Sequence, residues 1–540
     1  VSTTTNDAKP EVKMVSVTIE GRTTSVPEGT TIIEAAKTVG VLIPHYCYHP
    51  GLPVAGVCRM CLVDVEKFPK LAPACATTVM EGQVVSVHSE KAREARKGVL
   101  EFLLINHPLD CPVCDQSGEC ELQDYTFQEG RAESRYEEPK RFNPVEDFGG
   151  DVLYVPNRCI LCTRCVRFMG DVAEEPVLNV SERGDRAFIG KAEGHDLTHA
   201  WAGNVVDLCP VGALLSKDFL NKARAWELDR SASICTGCSQ GCNVTVETRD
   251  NTVVRLKPRS NTAVNHFYLC ESGRLDYRWI NRRDRLDQPK LRVDGEWRTV
   301  DWEDALDAAA ATLAGKRVTV LASPNCSNET LFLAERIIAQ QGGSGVFRVT
   351  LGAEAPLRGV DDLSLRAERA ANATGARLLG YRDLSHGAPS LSAHDVLLIL
   401  DDALEGELSA ALTSLLSSGA TVLHVGTTLP AVLEGQAQVA LPIANHTEEE
   451  GTFTNLRGRV QRFLQARTAP GLARPSWYVM SDLVERLGAG EGRHMASAVF
   501  DQLAATHASF ASLSYATLAL RGLPVVDAAE RGLVAPMVPA

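Results

Sequence analysis

The 540 residues predict a multidomain protein, α+β in its amino half and α/β with a mainly parallel sheet in its carboxy half. Three observations predict it. Residues 14–39 read as strand, turn, strand and short helix. Fifteen of the sixteen cysteines lie before residue 271, gathered in tight groups. From about residue 300 cysteine nearly vanishes, Ala and Leu dominate, and strand-like runs alternate with helix-like ones, which is the pattern of a parallel sheet with crossover helices. A chain of this length supports several separate cores.

The first strand covers residues 14–20, where Val15, Val17 and Ile19 alternate with polar residues. Gly21 and Arg22 turn the chain, a second strand runs to Val26, and Pro27, Glu28 and Gly29 close it. Thr30 or Thr31 then caps a helix that continues through Val39. This order opens a β-grasp ferredoxin fold, assigned to residues 14–88. Residues 89–106 form an amphipathic helix with Val99, Phe102, Leu103 and Ile105 apolar and Lys91, Arg93, Arg96 and Lys97 polar. Pro108 stops it, so that His107 sits just past its end. Residues 121–150 are charged and weakly patterned, as a surface linker would be. Compact cysteine-rich regions follow to about residue 225 and over 230–285. In the carboxy half, strands are expected at 317–322, 395–400 and 421–425, with helices at 328–341 and 404–416. No internal repeat of short period is present.

Bulk properties exclude several classes. A formal charge of −13 argues against nucleic acid as a partner. Apolar stretches such as residues 99–105, interrupted by Glu101, and 396–400 are far too short to cross a bilayer, and the polar start lacks an apolar signal region. The chain is therefore expected to meet a membrane only through partner subunits. Sixteen cysteines are about 3% of the chain, well below the density of secreted disulfide scaffolds. Thiols in a reducing compartment serve metals or catalysis.

Fifteen of the cysteines, with one histidine, fall into four groups of four. Cys47, Cys58, Cys61 and Cys75 follow the β-grasp pattern, with Gly51 and Gly56 opening the loop. Four thiolates there suit a [2Fe–2S] cluster, although the spacing is not the plant-type one. Cys159, Cys162 and Cys165 are three thiolates within seven residues, and Cys209 with Pro210 completes them at a distance, as in half of a bacterial ferredoxin. Cys235, Cys238, Cys242 and Cys270 also read as a [4Fe–4S] site. Structural zinc is the alternative for each all-cysteine group. Cys111, Cys114 and Cys120 have no nearby fourth thiol, and His107 is the candidate. A neutral imidazole removes one negative charge from a site and favours its reduced state; the alternative is a helix-terminal histidine stabilised by the dipole. Cys326 is left over, and reads as a buried, inert thiol. Arg59, Arg158, Arg164 and Arg167 lie among the ligands. They either offset the roughly two negative charges of an oxidised all-cysteine cluster or are solvated surface groups.

At these residues the resemblance becomes specific. The segments HYCYHPGLPVAGVCRMCLV, NHPLDCPVCDQSGECELQD and RCILCTRCVRF resemble the large iron–sulfur subunit of proton-pumping NADH:quinone oxidoreductase, respiratory complex I. The resemblance makes His107 a ligand. It implies a [2Fe–2S] domain (14–88), a [4Fe–4S] domain with one histidine and three cysteine ligands (89–128), a ferredoxin-like [4Fe–4S] domain (129–228) and a further [4Fe–4S] domain (229–285) whose cluster lies off the main path. It implies an electron wire from a flavin- and NADH-binding subunit toward quinone. The electron would enter at the [2Fe–2S] cluster, pass to the Cys159–Cys209 cluster, then to the His107 cluster, and exit to a small ferredoxin-like two-cluster subunit. Other peripheral-arm subunits would surround the chain, on the cytoplasmic side of the bacterial inner membrane.

Residues 286–540 resemble the molybdopterin oxidoreductases through SPNCSNETLFLAERIIAQQGG, LPIANHTEEEGTFTNLRGRVQ and, more faintly, ARPSWYVMSDLVERLG. Residues 346–379 hold no Cys and no Ser recognisable as a molybdenum ligand, and the chain stops at Ala540, before the β-rich domain that closes over a pterin. This half is therefore expected to be a catalytically dead scaffold without molybdopterin or molybdenum, with residues 452–455 and 457–460 kept for folding. Gly342 to Gly345 lack the spacing of a dinucleotide loop, so neither FMN nor NAD is expected here. The equivalent subunit of an NAD-linked hydrogenase or formate dehydrogenase is the alternative. An iron-only hydrogenase would need more cysteines beyond Cys270, and a formate dehydrogenase the missing molybdenum ligand. An interaction module in the carboxy half is compatible with either.

Overall fold

Alternating β-branched residues at the amino end form β1 (Met14–Ile19), which turns directly into the antiparallel β2 (Arg22–Pro27). The turn is tight because Glu20 and Gly21 both take positive φ. The computed structural model describes residues 13–401, 404 and 409–526. It separates into two units, Val1–Trp226 and Glu227–Ala540.

In the first unit, α1 (Ile32–Thr38) follows, then β3 (Leu62–Val65), β4 (Ala72–Pro73) and β5 (Gln83–Ser86). The sheet order is β2-β1-β5-β3-β4, with β5 parallel to β1. This mixed sheet with one helix across it is the β-grasp arrangement. Val17, Ile19, Val63 and Val85 on the sheet meet Ile32, Ile33 and Ala36 on α1. Each such aliphatic side chain contributes about 1.5–3 kcal/mol on burial. Thr31 occupies the N-cap position, yet its side chain makes no capping bond. The helix is held by its buried face.

The next helix, α2 (Glu90–Leu104), is capped by Ser89, whose hydroxyl accepts from Ala92 N. Its faces depart from the pattern read in the sequence. Arg96 is fully buried, donates to Val87 O and pairs with Glu129 at 3.1 Å, whereas Phe102 is 78% exposed. The expected linker at 121–150 opens instead as a helix, α3 (Glu121–Glu129), because Leu122 and Tyr125 fall one turn apart and are buried together. A short sheet formed by Glu146–Gly149, Val152–Tyr154 and Leu214–Ser216, and the hairpin of Leu178–Ser181 with Phe188–Lys191, complete this unit.

The second unit begins with a three-stranded antiparallel sheet, Asp229–Ile234, Asn243–Arg249 and Thr252–Pro258. An eight-stranded sheet follows. Its order is Glu296–Thr299, Lys290–Val293, Ala437–Pro442, Thr421–Gly426, Val396–Leu400, Val318–Ala322, Gly343–Phe347 and Arg382–Asp383. The last six strands are parallel, and the first two form an antiparallel hairpin at the edge. Val318–Ala322 and Val396–Leu400 are buried along their whole length, as strands covered on both faces must be. The helices Trp302–Leu313 and Asn328–Gln341 cover one face, the latter with the span expected from sequence. Of the helix expected at 404–416, residues 410–416 are helical and 405–408 lie outside the described residues. The glycines at 343 and 345 belong to a strand, which accounts for their lack of loop spacing. Among the described residues no helix is long and apolar enough to cross a membrane.

Candidate metal centres

The four ligand groups are placed by loops that the sheets and helices hold from both sides. Cys47 and Cys58 lie on the long connection between α1 and β3, Cys61 immediately precedes β3, and Cys75 follows β4. Gly56 and Arg59 take positive φ in this loop, so it can curl around a centre. The thiols come within hydrogen-bonding reach of one another, Cys47 with Cys58 and Cys75, and Cys61 with Cys75. Cys47 N also donates to Cys58 Sγ at 3.4 Å.

Cys159, Cys162, Cys165 and Cys209 line one enclosed space together with Tyr154, Ile160 and Thr163. The three nearby cysteines wrap it because Leu161 and Thr163 are left-handed (φ +52° and +60°), a conformation that costs a non-glycine residue about 1–2 kcal/mol. Leu161 N donates to Cys159 Sγ at 3.4 Å. Burial pushes the Cys159 thiol up to about 11 and that of Cys162 to about 12.

In the second unit, the connection between Asp229–Ile234 and Asn243–Arg249 carries Cys235, Cys238 and Cys242, and Cys235 N bonds Cys242 O at 2.8 Å. Cys270 caps the helix Glu271–Leu275, its sulfur accepting from Gly273 N. Gly273 and Gly237 leave the space a ligand needs, since a Cβ on either would stand 3.0 and 3.5 Å from Cys235 Sγ. This loop is pinned from behind by the segment expected to serve folding. Asn455 Nδ2 donates to Gln240 O, Gln461 Nε2 to Gly241 O, and Leu456 N to Ser239 O. Asn455, within the segment expected to serve folding, and its neighbours Leu456 and Gln461 thus hold the Cys238–Cys242 turn itself, a role the sequence did not reveal.

The remaining group is the most open. Cys111 is exposed, and Cys114 and Cys120 are half-buried. His107 lies beside Arg158, Lys140 and Asp110, and burial, helped by those cations, lowers it to about 4. Its buried Nδ1 has no hydrogen-bond partner among the described residues. A neutral imidazole with a bare nitrogen is the form that binds metal.

All sixteen cysteines are free thiols, and Cys326 is buried. Among the described residues no set of His, Cys, Asp or Glu closes on the point a single ion would occupy. The donor sets nevertheless fit iron–sulfur clusters. Buried thiols that desolvation keeps protonated lose their protons to a metal, and Tyr46, fully buried beside Cys47, has a hydroxyl left without a partner.

Arginines tie the groups of the first unit together. Arg158 pairs with Asp110 at 2.9 Å, joining residues that directly precede Cys159 and Cys111. Arg164, 4% exposed, donates to Tyr48 O (2.9 Å), Leu208 O (3.2 Å) and the Glu121 carboxylate (3.2 Å), residues adjacent to Cys47, Cys209 and Cys120. Glu121 N donates to Pro210 O at 3.0 Å, and a Cβ on Gly212 would collide with Cys114 Sγ. Of the four arginines singled out in the sequence, these two and Arg167 are therefore structural neighbours of the ligand loops rather than solvated groups.

Tyr154 is fully buried, receives Ile189 N at its hydroxyl (3.4 Å), and points its own proton at Cys159. A hydrogen bond to a ligand sulfur raises a cluster's reduction potential. Tyr154→Phe removes that donor, together with the acceptor for Ile189 N. The midpoint potential of the Cys159–Cys209 site should fall by about 20–60 mV, the one-electron equivalent of a net hydrogen bond, as read by EPR-monitored redox titration.

A cavity of about 450 Å3 lies past the carboxyl ends of Val318–Ala322 and Gly343–Phe347, lined by Ser323, Asn325, Arg348, His446 and Cys235. The chain leaves Val318–Ala322 for a neighbour on one side and returns on the other, so this is the switch point where open α/β sheets bind ligands.

The fold and its sites define an iron–sulfur protein whose carboxy-terminal half is built like a molybdopterin oxidoreductase. Five family models match successive segments: a 2Fe-2S iron-sulfur cluster binding domain (12–90), the NADH-ubiquinone oxidoreductase-G iron-sulfur binding region (96–135), the NADH-quinone oxidoreductase subunit 3 ferredoxin-like domain (149–215), the molybdopterin oxidoreductase Fe4S4 domain (229–282) and molybdopterin oxidoreductase (285–378 and 430–486). The chain matches the family of the NADH-quinone oxidoreductase G subunits. The G subunit of Rickettsia bellii is 39% identical over 332 residues, 61% of this chain and 49% of that protein. The mitochondrial NADH-ubiquinone oxidoreductase 78 kDa subunit of Candida albicans is 45% identical over 299 residues, 55% of this chain and 41% of that one. The 75 kDa subunit of Reclinomonas americana is 39% identical over 338 residues, 62% and 49% of the two. The chain spans about half the length of the curated relatives it matches. A chain of an NAD+-reducing [NiFe]-hydrogenase covers 39% of this one at 28% identity, with a TM-score of 0.34.

Proposed function

We propose that this chain is an electron-transfer subunit of a proton-translocating NADH:quinone oxidoreductase, with no catalytic site of its own. Cys47, Cys58, Cys61 and Cys75 would hold a [2Fe–2S] cluster. Three [4Fe–4S] clusters would sit on His107, Cys111, Cys114 and Cys120, on Cys159, Cys162, Cys165 and Cys209, and on Cys235, Cys238, Cys242 and Cys270. Such clusters accept and release single electrons at potentials set by their ligands and surroundings. The ligand domains would be 14–88, 89–128, 129–228 and 229–285, followed by a scaffold domain at 286–540.

The observation that carries this reading is the interlocking of three ligand loops in one unit by Arg158, Arg164 and Arg167. A protein that used metals only to staple its loops would not need such cross-links between separate sites. Burial of Cys162, Cys165 and Cys235 keeps water from those ligands. Near the His107 group, by contrast, Phe102, which lines a cavity with His107, and Leu109 and Val113, which flank Cys111 in the chain, are exposed, as is Phe142. An exposed apolar patch marks a contact surface, which supports this group as the exit toward a small ferredoxin-like subunit. The flavin- and NADH-binding subunit would supply electrons at the other end. The complex would hold the chain peripherally on the cytoplasmic face of the bacterial inner membrane.

The 450 Å3 cavity is read as a remnant, because residues 346–379 offer no cysteine to hold molybdenum. The test is iron and zinc content, with low-temperature EPR of the NADH-reduced complex. About fourteen irons per chain and no zinc are expected; fewer than two distinct [4Fe–4S] signals overturn the relay. Cys238→Ser should remove about four irons and leave quinone reduction largely intact. Complete loss of activity with the other clusters still in place would put the fourth site on the path.

A further inference from the structure

One guanidinium touches the backbone of two different ligand groups. Arg167 Nη2 donates to Cys47 O at 2.5 Å and to Cys162 O at 3.3 Å. Nη1 donates to Pro53 O at 2.5 Å, and Nε to Thr163 Oγ1 at 3.3 Å. Cys47 belongs to the β-grasp site and Cys162 to the ferredoxin-like site, so a single side chain spans the gap between a ligand carbonyl of each. Arg167 is set for this by the left-handed Thr163, which starts the short helix Arg164–Arg167 and turns its last residue back over the loop. Burial works against its charge.

We propose that Arg167 is a positioning residue that fixes the first ligand loop against the third and carries the coupling between the two sites, through Cys47 C=O···Nη2···O=C Cys162. This rests on the relay reading above. The transfer it serves moves one electron from the group on Cys47 to the group on Cys162, oxidising the first and reducing the second, with no proton and no bond exchanged. The planar fork matters as much as the charge. An ammonium is a compact point charge on a flexible stem and cannot reproduce four directed bonds to two loops. Three of the four acceptors are backbone carbonyls, so the arrangement depends on Arg167 and hardly on the identity of its partners.

The experiment uses the assembled complex with Arg167→Gln and Arg167→Lys, and reads iron per chain, zinc per chain and freeze-quench EPR after mixing with NADH. Both variants should keep their full iron. Both should reduce the [2Fe–2S] site at the wild-type rate, while the Cys159–Cys209 site lags by roughly 10–100-fold, the usual cost of losing a supporting partner around a metal site. Because lysine keeps the charge, a lag shared by both variants isolates the bridge from electrostatics. Wild-type timing in either variant overturns the proposal. So does a lag that appears only together with lost iron, which would make Arg167 a folding residue. Failure of NADH to reduce either site in the wild-type complex would instead sink the relay reading, and the two failures are thereby distinguished.

Discussion

Cys162→Ser should abolish electron flow to quinone. Cys162 is buried in the space it shares with Cys159, Cys165 and Cys209, and a serine hydroxyl there is a poor substitute for a thiolate on iron. Loss of an outer partner of a metal site already costs about 10–100-fold, so loss of a ligand should lower NADH:quinone activity at least about 100-fold. NADH-dependent reduction of an artificial acceptor by the flavin-bearing subunit proposed above should persist, and iron should fall by about four per chain. Full quinone activity in the variant would remove this site from the path.

The second large effect is on stability. Glu448 is fully buried, and its carboxylate pairs with Arg285 and Arg467 at 2.7 Å each. Both arginines are themselves buried at their side chains, 5% and 9% exposed. Arg285 also donates to Thr427 O and Ile443 O, and Asn445 N donates to Glu448. Glu448→Ala leaves two buried cations facing one another without an anion. Breaking such a pair costs about 3–5 kcal/mol, a large fraction of a domain's stability. Denaturant titration of the iron-loaded chain should show the second unit unfolding at clearly lower urea, while the first unit is unchanged. A shift below about 1 kcal/mol, the worth of an exposed pair, would contradict the burial.

Much of this was legible in the sequence, for reasons that differ from element to element. The β1–β2 hairpin and the helix Asn328–Gln341 were readable because periodicity and a glycine turn act locally. The ligand groups were readable because cluster ligands repeat at short spacing within one loop. What escaped depends on contacts between distant residues. Arg96 looks like a surface residue until Glu129 folds back on it, and α3 looks like a linker until Leu122 and Tyr125 find a core. Arg158, Arg164 and Arg167 could be read equally as solvated groups, since nothing local tells which carbonyls a guanidinium will reach. The service of Asn455 and Gln461 to the Cys238–Cys242 turn spans more than 200 residues of sequence. Tyr154 carried no signal, because a tyrosine on a strand is ordinarily only core.

Gly212 lies against Cys114 Sγ, where a Cβ would collide with the sulfur, and only three residues after Cys209 of another ligand group. A side chain at Gly212 would press on the Cys114 loop and on Arg158 at once. Gly212→Ala is therefore expected to disturb two ligand groups together through a single added methyl.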